Sequence, residues 1–117
     1  MSNAVAEKSL DFAVRIVKLY KCLQGRHEVV MSKQILRSGT SIGANVREVN
    51  SAQSKSDFIA KMCIALKECD ETGYWLELLS RTAYLSQGEY ESMESDRREV
   101  FALITSIVKT AKANVQR

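Results

Sequence analysis

The stretch Arg37 to Glu48, RSGTSIGANVRE, decides how the rest of the chain is read. Gly39 and Gly43 stand four residues apart, one helical turn, in a chain with no proline. Three chemistries use glycines at short spacing. A phosphate loop needs GxxxxGK[ST], whose backbone amides and lysine surround phosphate; here Ala44 follows Gly43 and no lysine is close. A dinucleotide turn needs GxGxxG directly after a strand, and no strand pattern precedes this stretch. The membrane form of GxxxG needs an apolar run of about 20 residues around it, which is absent. A steric reading is left. Two residues without Cβ atoms on one helix face let a facing helix come close, and tight packing there offsets the cost of about 1 kcal/mol that each glycine imposes on a helix interior. The stretch is therefore a helix with a packing face of Gly39, Ile42, Gly43 and Val46. A polar stripe lies next to it: Arg37, Ser41, Asn45 and Glu48, at i, i+4, i+8 and i+11.

Working outward, four segments show helical periodicity. The first is about Ser9 to Leu23, with an apolar stripe of Ala13, Ile16, Val17, Tyr20 and Leu23 and Gly25 as its stop. The second is about Met31 to Ser51, with Leu36, Gly39, Ile42, Gly43, Val46 and Val49 on a narrow apolar face. A third covers about Asp57 to Arg81, with Ser54 and Ser56 as candidate N-caps. The fourth covers about Gln87 to Asn114 and starts at Ser86-Gln87-Gly88-Glu89, a capping box. Phe58, Met62, Ala65, Leu66, Cys69, Leu76 and Leu79 line the third. Tyr90, Met93, Arg97, Val100, Ile104, Ile107, Val108 and Ala111 line the fourth. Connections this short make consecutive helices antiparallel neighbours. The expected fold is all-α, an antiparallel up-down-up-down four-helix bundle formed by one domain over residues 1–117.

Composition supports this. Without proline the chain lacks the strongest helix breaker, and an apolar fraction of 45% suits a folded globule. The opening MSNA reads as a remnant of an expression tag. Cys22, Cys63 and Cys69 form no CxxC pair and are odd in number, so free thiols in a reducing cytoplasm are expected. No apolar run reaches the roughly 18 residues of a membrane span. The net charge of +3 is uneven: residues 1–50 hold eight Lys/Arg against four Asp/Glu.

That excess gives the leading functional candidate. Lys8, Arg15, Lys18 and Lys21, with Arg26 and Lys33 beyond, make a basic face able to track a phosphate backbone of RNA or DNA. No aromatic residues are interleaved for base stacking, and a plain solvated helix face is the alternative. On the third helix Glu68, Glu71 and Trp75 form a second polar stripe. It reads either as a carboxylate site in a bundle interior or as the partner of Arg37 and Arg47. Carboxylate-bridged metal bundles use Glu-x-x-His repeats, whereas this chain has one histidine, His27, in a turn. No metal, cofactor, small-molecule substrate or catalytic residue is expected. A rival to nucleic-acid binding is a structural or protein–protein module whose interface uses Tyr74, Trp75 and exposed apolar residues of the fourth helix.

Several motifs together resemble a known family. Leu36-Arg37-Ser38, Ser41-Ile42-Gly43-Ala44-Asn45, Glu48, Ala65-Leu66-Lys67-Glu68, Glu71-Thr72 and Tyr74-Trp75-Leu76 resemble, at the same spacing, the bacterial 23S rRNA intervening-sequence proteins. The opening KSLDFAVRIVKLYKCL and the closing LITSIVKTAKAN resemble them too. Gly73 departs from the pattern, where a larger residue, often leucine, is usual. The resemblance implies a four-helix bundle without catalytic residues. Through the related accessory proteins of diversity-generating retroelements, it also implies a ring-like homopentamer and a nucleic-acid or ribonucleoprotein setting.

Overall fold

A computed structural model describes residues 3–115. The chain forms α1 (Asn3–Gly25), α2 (Met31–Glu48), α3 (Lys55–Arg81) and α4 (Gln87–Val115), with a single 3-10 turn, Val49–Ser51, carrying α2 onward. Of the supposed tag remnant, Met1 and Ser2 lie outside the described residues, while Asn3 and Ala4 open α1. That helix starts earlier than expected because its Ala-rich beginning contains no breaker and Val5 is fully buried.

Pairings across the bundle fix the helix directions. Ile16 of α1 faces Gly39 of α2, and Ser9 faces Gly43. Arg37 of α2 reaches Glu68 and Glu71 of α3, while Glu48 reaches Lys61. Lys8 of α1 meets Glu99 of α4, and Arg15 meets Asp96. Each pairing runs up one helix and down the other. Consecutive helices pack extensively and α1 against α4 more thinly, which gives an up-down-up-down bundle of 51 × 22 × 20 Å.

The core draws on all four helices. In α1 the buried row is Val5, Ser9, Phe12, Ile16 and Leu23, with Leu19 packed against it. This corrects the expected stripe: Ala13, Val17 and Tyr20 are only half-buried, whereas Phe12 is a full core residue. In α2 Ile35 is fully buried, and the expected Leu36 sits half-buried beside it. Met62, Ala65, Cys69, Leu76 and Leu79 of α3 meet Met93, Val100, Ile104 and Val108 of α4.

Helix ends show where local chemistry decides. Ser54, in extended backbone, accepts a hydrogen bond from Asp57 N at 3.0 Å and caps α3. Ser86 and Glu89 exchange hydrogen bonds of 2.8 and 3.1 Å, the expected capping box. The stop of α1 differs from expectation. Gly25 is still helical, and His27 takes the left-handed conformation, φ 65°. His27 N donates to Gln24 O at 3.0 Å and Glu28 N to Leu23 O at 2.9 Å, a Schellman closure. Glu28 then turns inward. Its carboxylate accepts from the amides of Val30, Met31 and Ser32 at 3.2, 3.1 and 2.7 Å. Val30 has no capping side chain and the first turn of α2 has no acid, so Glu28 both closes α1 through its backbone and neutralises the positive start of α2.

Candidate nucleic-acid interface and the polar seams beside it

The six cations of the expected basic face do not share one environment. Lys8 Nζ lies 3.1 Å from Glu99. Arg15 donates to Asp96 at 2.6 Å and to Ser92 Oγ at 3.0 Å. Both side chains therefore staple α1 to α4, where apolar packing is thin. Arg26 donates to the carbonyl of Tyr84 at 2.6 Å, and its guanidinium sits 5.0 Å from the centre of the Tyr84 ring, so it pins the α3–α4 turn. Lys18, Lys21 and Lys33 are exposed, with no ion pair among the described residues. They lie, with Arg26, toward the end of the bundle that carries the α1–α2 turn. Phosphate would have to compete with Glu99 and Asp96 for Lys8 and Arg15, but not for Lys18, Lys21 and Lys33.

The second polar seam joins α2 to α3. Arg37 donates to Glu68 at 3.1 Å and also to Glu71. The indole N–H of Trp75 donates to the same Glu71 carboxylate at 3.0 Å, and Tyr74 stands edge-on to the Trp75 ring at 5.0 Å. The indole and then the Arg37 guanidinium hold the Glu71 carboxyl below its usual range. Ser41 Oγ donates to Arg37 O at 2.6 Å, and Asn45 donates to Ser41 O at 2.9 Å. Beneath them the hydroxyls of Ser38 and Thr72, both fully buried, share a hydrogen bond of 2.9 Å. Arg37, Ser41, Asn45 and Glu48 thus lie on the α3 side of α2, while Gly39 and Gly43 face α1. The stripe and the glycine face occupy opposite flanks, with Ile35, Ile42 and Val46 between them. Of the open alternatives, the seam is ion pairing for Arg37; Arg47 is exposed and forms no ion pair among the described residues.

These seam residues are the ones that carried the family resemblance. The family model for 23S rRNA-intervening sequence proteins matches residues 1–106. The chain belongs to the 23S rRNA-intervening sequence protein family. A crystal structure at 1.70 Å of a protein of unknown function from the S23 ribosomal protein family of Bacteroides thetaiotaomicron VPI-5482 is similar to it, at 61% identity and a TM-score of 0.88. The match covers 90% of this chain and 98% of that one. No curated protein matches.

In this intervening-sequence protein the departure at Gly73 has a local cause. A Cβ at position 73 would lie 2.8 Å from Cζ of Arg97. Arg97, with 13% of its side chain exposed, lies across the glycine and grips Glu94 through two hydrogen bonds of 2.6 Å. Arg98 adds a third at 3.0 Å. Burial alone would raise the Glu94 carboxyl, but the bonds from Arg97 and Arg98 outweigh it and hold it below its usual range. The Glu94-x-x-Arg97-Arg98 spacing was the available sequence signal for this cluster. Cys69 is buried beside Arg97, and burial pushes its thiol up to about 11; Cys22 is exposed. Between the 3-10 turn, the start of α3 and the end of α4 lies an open cleft of about 600 Å³. Its lining includes Val49, Phe58, Ile107 and Lys55 but no acid, histidine or thiol. Among the described residues no His/Cys/Asp/Glu group could hold a metal ion, and no helix is long and apolar enough to cross a membrane.

Proposed function

We propose that this family member is a non-enzymatic helical module that binds the phosphate backbone of RNA, or of a ribonucleoprotein, through the α1–α2 end of the bundle. One observation carries the reading: Lys18, Lys21 and Lys33 stand exposed there without a carboxylate partner among the described residues, next to Arg26. Lys8 and Arg15, tied to α4, play a structural part. Four phosphate contacts give a slope of about −3 to −4 in log affinity against log salt, from single-stranded to paired RNA. Filter binding of a structured RNA over a salt series tests this. Binding that strengthens with falling salt, and that is weaker with a shallower slope in Lys18→Glu and Lys33→Glu, supports the proposal. Absent binding at low salt, or binding indifferent to salt, overturns it in favour of a structural or protein–protein module.

Self-association belongs to the same reading. Light scattering decides its order, a five-copy ring being the assembly implied by the resemblance to the retroelement accessory proteins. A one-chain mass of 13.1 kDa at every soluble concentration removes it.

A further inference from the structure

The cleft of about 600 Å³ opens at the end of the bundle away from the α1–α2 turn, and its size falls in the range of small-molecule sites. Three pieces of chain enclose it: the 3-10 turn, the first turns of α3 and the last turns of α4. Its floor is apolar. Val49 is 5% exposed, and Ala52, Phe58, Ile107 and Ala111 are half-buried. Phe58 and Ile107 pack against the core on one side and line the cleft on the other. Helix α4 continues about two turns past Val108, its last buried residue. Ala111 and Asn114 on that overhang form one wall. Concave apolar surface that is left half-wet in this way gains from being covered.

The lining carries a single charge. Lys55, exposed at the rim, forms no ion pair among the described residues. The acids nearest to it are occupied elsewhere. Asp57 accepts from Gln53 N at 3.1 Å and lies 4.0 Å from Lys61, and Glu48 lies 3.7 Å from the same lysine. The positive start of α3 opens at the same rim and adds to Lys55 in sign. The side-chain amides of Gln53 and Asn114, also exposed at the rim, supply neutral donors. Other hollows are built differently. The one between α1 and α2 sets Arg47 beside Glu48, which selects neither sign of ligand. The troughs on the outer faces of α1 and α4 hold lysines, but each is lined by one helix and encloses nothing.

We propose that this cleft binds a small amphiphile with an apolar chain and one carboxylate head. The chain lies over Phe58 and Ile107, and the carboxylate sits at Lys55. A cationic head would be set against Lys55 with no acid in the lining to receive it. The chain supplies most of the affinity, because Lys55 is exposed and solvent screens its charge. The head decides orientation and the sign of ligand accepted. The site stands apart from the RNA reading: it shares no residue with Lys18, Lys21 and Lys33 and lies at the other end of the bundle, so each can fail alone.

Isothermal titration of the full chain with octanoate, decanoate and dodecanoate, each below its micellar concentration, tests this. Saturable binding of one molecule per chain is expected. It should tighten about two- to fourfold per added CH₂, the lower figure where a methylene is half covered. Lys55→Glu is expected to weaken decanoate about fivefold, and Lys55→Arg to leave it within about twofold. Decyltrimethylammonium should show the reverse order, binding Lys55→Glu better than the parent. Ala111→Trp fills the cleft and should abolish decanoate binding with the charge untouched. If that variant fails to fold, the changes at the exposed Lys55 still decide. Absent saturation, affinity indifferent to the sign of the head group, or decanoate binding unchanged in Lys55→Glu overturns the proposal.

Discussion

A methyl group at position 39 would lie 2.7 to 2.9 Å from three atoms of the Ile16 side chain. Ile16 is fully buried and β-branched, so it cannot swing aside. At position 43 the nearest atom is the Ser9 carbonyl oxygen at 3.3 Å, a tight but tolerable approach. Gly39→Ala is therefore expected to destabilise by about 1–2 kcal/mol despite the better helix propensity of alanine. Gly43→Ala should be near neutral, whereas Gly43→Leu should cost roughly 1–3 kcal/mol or more by overpacking. Urea unfolding checks all three. A Gly43→Leu protein as stable as the parent would disprove close helix approach there. The GxxxG spacing made a close approach legible in the sequence. It could not say which helix comes close, because spacing defines a face and not its partner. For the same reason spacing sets Arg37, Ser41, Asn45 and Glu48 next to the glycines, whereas in the fold they turn toward α3 on the other flank.

At the scale of the element, helix starts were easier to read than helix stops. Ser54, Ser86 and Glu89 announce their helices because capping needs those side chains at fixed offsets. The stops of α1 and α3 use His27 and Ala83 in the left-handed conformation, φ 65° and 64°, where glycine is the usual choice. Nothing in either side chain marks such a stop. Tyr84 N donates to Leu79 O at 2.9 Å, so the surrounding hydrogen bonds hold Ala83 in place. Ala83→Gly should relieve this and stabilise by about 0.5–1 kcal/mol, visible as a later urea midpoint with an unchanged slope. A lower midpoint would mean that the strain at Ala83 is negligible. The phase of α1 is hard to read for a related reason. With Leu10 and Val14 apolar on its outer side as well as the core residues on its inner side, the periodic signal is a blend that points at Ala13, Val17 and Tyr20 instead of Phe12.

For the whole molecule, acid is the informative stress. Glu71, Glu89 and Glu94 are each held below the usual carboxyl value of 4.5. Hydrogen bonds to the Trp75 indole, to the Ser86 backbone and to the two arginines respectively bring this about, against burial in the last case. A carboxyl depressed in the folded state contributes stability that is fully present above its unfolded value and lost as pH falls through its folded value. Thermal unfolding temperature should accordingly hold steady above about pH 5 and decline as pH drops below 4.5. Glu94→Gln should flatten that decline, yet lower stability at neutral pH by leaving Arg97 half-satisfied. An acid limb identical to the parent's would remove Glu94 from this account. The bundle was legible because every helix contributes to it. Activity was not, because the polar residues most prominent in the sequence, Arg37, Glu68, Glu71 and Trp75, hold helices together, and the free lysines differ from bound ones only through contacts made in three dimensions.

The slot at Gly73 has a consequence for descent. Space given up at position 73 is occupied from position 97, so the two sites cannot drift independently. Enlarging 73 first would push a guanidinium off Glu94; shortening 97 first would leave a gap beside a bare backbone. Viable histories pass through paired changes, and relatives with leucine at 73 should carry a shorter side chain at 97. The geometry of one glycine thereby becomes a correlation between two columns of sequence.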